Sequence, residues 1–243
     1  MKIAAYVQLA RTGDPTTGVG KHVINMVHGL AEAGHDVRVM APGCELDADG
    51  QIPTRSRLRG MPVAPLPFNR FIMERAWLLG GFPRADRFTG DVDWIYSPDE
   101  TFIPAGRSRF AATVHCVNWF DPLVPWYGSP RIIRERRRMG FKWRKTLRRA
   151  DVVLTVSDFL KRRITELFGT DPARIVVVGN GVEQPYFDVA QRDAATLKRA
   201  TDRPYIIVIG GLVKRKGAAC VLEVAESLAR IKSDVAIVVV GNS

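Results

Sequence analysis

Continuous apolar runs of strand length, alternating with helical patterns, restrict this chain to very few architectures. Seven such runs occur before residue 180: Ile3–Gln8, Val37–Ala41, Val63–Leu66, Val92–Ser97, Phe110–His115, Val152–Val156 and Ile175–Val178. Most lack polar–apolar alternation, as expected of strands covered on both faces of a parallel sheet. Between them, Val23, Met26, Val27, Leu30 and Ala31 share one helical face with Gly34 as the C′ residue. Asp158–Phe168 reads as a second helix, capped by Ser157 and stopped by Gly169. Repeated βα units predict an α/β fold, a doubly wound parallel sheet.

The pattern begins again after residue 203. Pro204–Ile209 reads as a buried strand, Gly210-Gly211-Leu212-Val213-Lys214-Arg215-Lys216-Gly217 as a glycine-rich basic turn, and Val221, Leu222, Val224, Ala225 and Leu228 as a helix face. A further strand follows at Val235–Val240. Strand, basic turn and helix together make an anion site, because glycine admits close approach and the helix N-terminus offers free N–H groups. The expected organisation is therefore a first domain over 1–188, a polar linker over 189–203, and the first βαβ unit of a second domain, incomplete, over 204–243. Gly43–Arg59 reads as a loop. Asn118–Pro130 is irregular and aromatic-rich, so Trp119 and Trp126 either shape a substrate site or anchor the loop.

Charge is concentrated. Ten of the 36 Lys/Arg but one of the 25 Asp/Glu lie between Arg131 and Arg149, a local +9 within a total of +11. Ile132, Met139, Trp143, Leu147 and Ala150 fall at helical spacing beneath that charge. Such a helix can lie on an anionic membrane, or pack on a core with a solvated basic back. No nucleic-acid module is present and no aromatic platform accompanies the cations, so no nucleic-acid partner is expected. No apolar run approaches the ~18 residues of a membrane span. Cys44, Cys116 and Cys220 fit neither a disulfide framework nor a zinc site and point to a reducing cytoplasm.

Several residues carry possible chemistry. The segment Thr16-Thr17-Gly18-Val19-Gly20-Lys21-His22 joins the first strand to the first helix, at the strand ends where open sheets bind ligands. It is neither a dinucleotide fingerprint nor a P-loop, since Val23 stands where a third glycine would and no G-K-[ST] occurs. No acidic ribose ligand follows the second strand, which argues against a nicotinamide enzyme. His115 closes the fifth strand at the same rim, where it is either a reacting group or a satisfied imidazole. Asp99 and Glu100 are weaker candidates nearby. Ser157 reads as a helix cap rather than a nucleophile.

Taken in order, these segments resemble the retaining, GT-B-fold glycosyltransferases of family four. Gly18-Val19-Gly20-Lys21-His22-Val23 is similar to that family's first glycine loop, and Gly29–Val37 to its first helix and second strand. Thr113-Val114-His115 resembles its T-V-H-D strand end, Ala150–Ser157 its A-D-x-V-x-x-V-S segment, and Asn180-Gly181-Val182-Glu183 with Phe187 its N-G-V-D…F. The turn at Gly210–Gly217 resembles the mannosyltransferase-type G-x-L-x-P-R-K-N, with Lys214 for Pro and Gly217 for Asn. Gly211 stands where many members have Arg, and Cys116 where they have Asp. The family's E-x7-E element would fall beyond Ser243.

The resemblance implies transfer of a sugar, mannose-like by subgroup, from a GDP- or UDP-sugar with retention and with no metal or other cofactor. Gly18, Gly20, Gly211, Arg215 and Lys216 would bind the donor, and His115 would serve as the catalytic residue. Trp119, Trp126, Arg136, Arg137, Arg144 and Arg148 would face a glycan or lipid-linked acceptor and an anionic membrane surface. That places the protein in the cytoplasm, on the inner face of the cytoplasmic membrane, with residues 1–243 alone inactive. The alternative is a non-catalytic or split glycan-binding subunit that borrows its donor half from a partner.

Overall fold

A computed structural model describes residues 1–13, 17–192, 201–213 and 216–241. The chain divides into two compact units, Met1–Gly181 and Val182–Ser243. The division falls a little before residue 188, because the helix over Gln184–Ala190 belongs with the second unit.

The first unit is a parallel seven-stranded sheet. Its strands are β1 (Lys2–Tyr6), β2 (Asp36–Pro42), β3 (Val63–Leu66), β4 (Trp94–Ser97), β5 (Arg109–Val114), β6 (Val152–Thr155) and β7 (Ile175–Val177), in the order β3-β2-β1-β4-β5-β6-β7. The doubly wound expectation holds, and the strand ends move by a residue or two. Two of those shifts matter: Gln8 and His115 lie just beyond their strands, at the carboxyl edge.

Helix α1 (Gly18–Glu32) starts earlier than a loop reading of its glycines implies. Thr17 caps it, its hydroxyl accepting from the Gly20 N–H at 3.2 Å, so Gly18 and Gly20 form the first helical turn. Helix α2 (Arg70–Gly80) is capped by Asn69 and ends at left-handed Gly81. It buries Met73 and Trp77, whose ring meets Tyr6 edge-on at 5.3 Å and whose N–H donates to the Pro83 carbonyl at 2.8 Å. The short α3 covers Asp86–Thr89.

The basic segment is helix α4 (Pro130–Arg149), with Ser129 as cap and Pro130 in the first turn. Its apolar stripe packs as the spacing predicts: Ile132, Trp143, Leu147 and Ala150 are buried and Met139 lies against the core. Trp143 packs against both Phe120 and Phe168, at 5.1 and 5.6 Å. Helix α5 (Asp158–Phe168) is capped by Ser157, which accepts from the Leu160 N–H, and ends at left-handed Gly169. One buried cluster, including Trp77, Phe110, Trp143 and Ile164, lies under α2, α4 and α5. Another, including Ile24, Val27, Val39 and Leu58, lies under α1. Each fully buried large side chain contributes about 1.5–3 kcal/mol.

In the second unit, α6 (Gln184–Ala190) is followed by β8 (Tyr205–Ile209), α7 (Ala218–Arg230) and β9 (Ala236–Val240), with β8 parallel to β9. Residues 193–200 of the expected linker lie outside the described residues. No described residue of β8, α7 or β9 is fully buried.

Candidate functional site

The strand order reverses between β1 and β4, and open α/β sheets bind ligands at the carboxyl ends beside such a switch point. Beyond β1 lies Gln8, beyond β4 lie Pro98, Asp99 and Glu100, and beyond β5 lies His115. The start of α1 enters the same edge. Its first N–H groups, at Gly18 and Val19, have no intrahelical acceptor to reach, and a Cβ at Gly18 would meet open space.

Two imidazoles meet here. His22, one turn into α1, contacts His115 edge-on with ring centroids 4.7 Å apart. His115 Nε2 lies 2.8 Å from the Pro98 carbonyl, which can only accept, so Nε2 carries the hydrogen and Nδ1 of the neutral ring is an acceptor. Burial lowers the His115 pKa, against the opposing pull of the Pro98 bond and Asp99. His22 is buried and pushed down to about 4, first by burial and then by His115, while a hydrogen bond with Asn180 opposes both. Its Nε2 has no hydrogen-bond partner among the described residues. Both rings are therefore neutral at pH 7.

A carboxylate pair fixes this arrangement from below. The His115 backbone N–H donates to Glu100 Oε1 at 3.1 Å. Burial pushes Glu100 up to about 7, and neighbouring Asp99 adds to the shift. Asp99 itself accepts from Gln8 (3.1 Å), from the Ser97 hydroxyl (3.1 Å) and from the Thr101 N–H (2.9 Å). The network reaches two helices: the Thr146 hydroxyl of α4 donates to the Glu100 carbonyl at 3.1 Å, and Lys142 donates to Thr101 Oγ1 at 3.2 Å while lying 3.8 Å from Glu74 of α2. The sequence pattern assigns His22 and Glu74 no role. The available signal for His22 is its place one turn after Gly18, which aims it at the same rim.

A cleft of about 380 Å³ opens beside His115, lined by Cys116, Leu123, Val124, Pro125, Val156 and Phe159 among others. Neither tryptophan of the aromatic loop lines it. Trp119 packs partly buried against the core, and Trp126 is half-buried. The loop is pinned by buried Asp121, whose two oxygens accept from Arg163 at 2.6 and 2.9 Å. That pairing holds the Asp121 pKa below its usual value.

On α4 the cations divide into two groups. Arg137, Arg144 and Arg148 are exposed, and no carboxylate pairs with them among the described residues. Arg136 instead stacks over the Tyr127 ring at 4.0 Å. Lys145 donates to the Leu78 carbonyl at 2.6 Å, at the end of α2. In the second unit, Gly210, Gly211 and Gly217 all take positive φ, which accounts for glycine at each. Lys216 folds back to donate to the Gly210 carbonyl at 3.1 Å. Arg215 lies outside the described residues.

Residues 16–184 match the family described as Glycosyltransferase Family 4. The chain belongs to that family. Family 4 membership thus rests on the unit that carries the histidine pair. The chain is 24% identical over 236 residues to a phosphatidylinositol N-acetylglucosaminyltransferase subunit of Arabidopsis thaliana, covering 93% of this chain and 49% of that protein. It therefore spans about half the length of the curated relative it matches.

Solved structures show the same GT-B architecture. A glycosyltransferase from Rickettsia africae ESF-5 superposes with TM-score 0.50 at 17% identity, over 100% of this chain and 68% of its own. The catalytic domain of starch synthase IV from Arabidopsis thaliana, bound to ADP and acarbose, superposes with TM-score 0.53 at 14% identity, over 99% and 68%. No group of three or more His, Cys, Asp or Glu suited to a metal occurs among the described residues of this family 4 chain. No described helix is long and apolar enough to cross a membrane.

Proposed function

We propose that this protein takes part in transferring a sugar, mannose-like, from a GDP- or UDP-sugar to a glycan or lipid-linked acceptor, with retention and without a resident metal. The observation that carries this reading is the neutral His22–His115 pair at the switch-point edge of a family 4 domain. A ring with Nε2–H tied to Pro98 leaves Nδ1 to accept from a hydroxyl of the sugar or acceptor. Departure of a nucleoside diphosphate builds negative charge, which the open N–H groups of Gly18 and Val19 would stabilise from this unit, while Arg215 and Lys216 are the second unit's proposed donor-binding cations. No side-chain nucleophile is needed if the leaving phosphate receives the acceptor proton on the same face.

Membrane association is part of the reading. Helix α2 exposes Phe71 (67%), Ile72 and Leu79 (72%), Phe68 and Phe82 flank it, and Arg75 and Arg87 lie over the Phe71 and Phe82 rings. Exposed apolar side chains and an arginine-rich helix face, both carried by the first unit, suit an anionic bilayer surface. The curated relative's name describes one component of a larger enzyme, which favours action within a complex as a second reading, one where a partner supplies the donor half.

The test uses the full-length protein with a panel of GDP- and UDP-sugars and lipid-linked acceptors, with the anomer of the product read by NMR. Lys216→Ala is expected to cost roughly 10²–10³ in kcat, and His115→Ala a comparable amount. Loss confined to the donor KM would show that Lys216 binds the ground and transition states equally. Full activity of His115→Ala would remove His115 from the reacting centre, and an inverted product would end the retaining assignment.

A further inference from the structure

At the far end of α4 and α5 from the histidine pair, a recess of about 280 Å³ is walled by Arg144 and Arg148 of α4, Leu167 and Phe168 of α5, and Thr170 and Arg174 beyond. Arg144 and Arg148 stand one helical turn apart and project from the same face, where like charges repel. Arg174 is held in place: its Nη2 donates to the Leu147 carbonyl at 2.9 Å and to the Ala150 carbonyl, closing the end of α4. Its other nitrogens have no partner among the described residues. No carboxylate pairs with any of the three guanidinium groups among the described residues. Thr170 is buried apart from its part of the wall, and its hydroxyl bonds to no protein group among the described residues.

Three cations that line one recess without an acid lack a protein counter-ion. Their planar forks match the oxygens of a phosphate, the Thr170 hydroxyl adds a neutral donor, and the Leu167 and Phe168 side chains limit screening by water. The carbonyl ends of α4 disfavour an anion by themselves, but Arg174 already satisfies them. We propose that this recess is a binding site for a phosphate monoester or inorganic phosphate. It lies away from His115 and does not depend on the sugar-transfer reading. It also differs from diffuse attraction of α4 to anionic lipid, since it requires particular residues rather than a charge count.

Isothermal titration of the purified protein with inorganic phosphate, at constant ionic strength against chloride, is expected to reveal one saturable site. Arg144→Gln with Arg148→Gln should weaken it at least about tenfold. Arg131→Gln with Arg134→Gln removes equal charge from the same helix outside the recess and should leave affinity within about twofold. Thr170→Val, which keeps shape and leaves the capping Arg174 intact, should also weaken binding. Equal losses from the two arginine pairs, or no saturable binding above the chloride control, would overturn the site. Flotation with phosphatidylcholine vesicles carrying phosphatidic acid or phosphatidylserine at matched surface potential then identifies the source. A preference for phosphatidic acid that disappears in the Arg144/Arg148 variant assigns a lipid headgroup. Phosphate binding without that preference assigns a soluble phosphate or phosphomonoester.

Discussion

The two units of this chain share a sequence signature and differ in what covers it. In the first, β5 (Arg109–Val114) has every residue after Arg109 buried between neighbouring strands and helices on both faces. In the second, β8 is an equally apolar run, yet Ile207 is 53% and Ile209 75% exposed. A continuous apolar strand states a requirement for cover on two faces, and the amount of surrounding sheet decides whether the requirement is met. The units also differ in electrostatics: every resolved pKa shift among the described residues, including those of His22, Glu100, His115 and Asp121, belongs to the first.

The largest test of this contrast is a pair of truncations. Trp77→Ala empties a buried site that holds an edge-on ring contact and an indole hydrogen bond, and should cost about 3–5 kcal/mol in denaturant unfolding. Leu222→Ala, at a position 55% exposed, should stay within about 0.5 kcal/mol. Comparable costs would mean that the second unit is covered in solution and the contrast fails.

A smaller effect concerns pH. Glu100 is raised from 4.5 to about 7 in the folded protein, so between those values the folded state holds a proton that the unfolded state has released. Stability from this group is present below pH 4.5 and is lost as pH rises through 7, a fall of roughly 3 kcal/mol. Glu100→Gln should flatten that slope in the unfolding of the first unit and leave the second unchanged. An unaltered slope would remove Glu100 as its source.

The smallest effect separates the two exposed apolar surfaces. That of α2 belongs to the unit that also carries the exposed arginines of α4, and no such cluster occurs among the described residues of β8, α7 and β9. Replacing Arg137, Arg144 and Arg148 by Gln should weaken binding to anionic vesicles by up to about 1 kcal/mol per charge at low salt. Equal binding of the variant would reduce the cationic face to a solvated one.

Much of the fold can be read from the residues. Ser157 and Gly169 mark both ends of α5, and the stripe Ile132, Met139, Trp143, Leu147 marks the buried face of α4, because caps and 3.6-residue spacing are local signals. Helix α2 leaves no such signal, for the same physical reason turned around. Phe71, Ile72 and Leu79 point outward beside the buried Met73 and Trp77, so its apolar residues ring the helix and define no face. The glycine segment lies where the pattern puts it but reads as a loop, since nothing in Thr17-Gly18-Val19-Gly20 announces that Thr17 accepts from Gly20. At the site, His115 follows from its strand. Its contact with His22 and the link from Glu100 join residues far apart in sequence, and only the strand order β1-β4-β5 brings them together.

Lys145 and Lys142 give the basic helix a second character. One amine closes the carbonyl end of α2 and the other bridges Thr101 and Glu74, so these two cations work as fasteners and project little field outward. Substituting lysines on this helix would therefore loosen the scaffold under His115, whereas substituting its outer arginines leaves that scaffold in place. A change in net charge from either class looks identical in the sequence and has opposite meaning for the molecule.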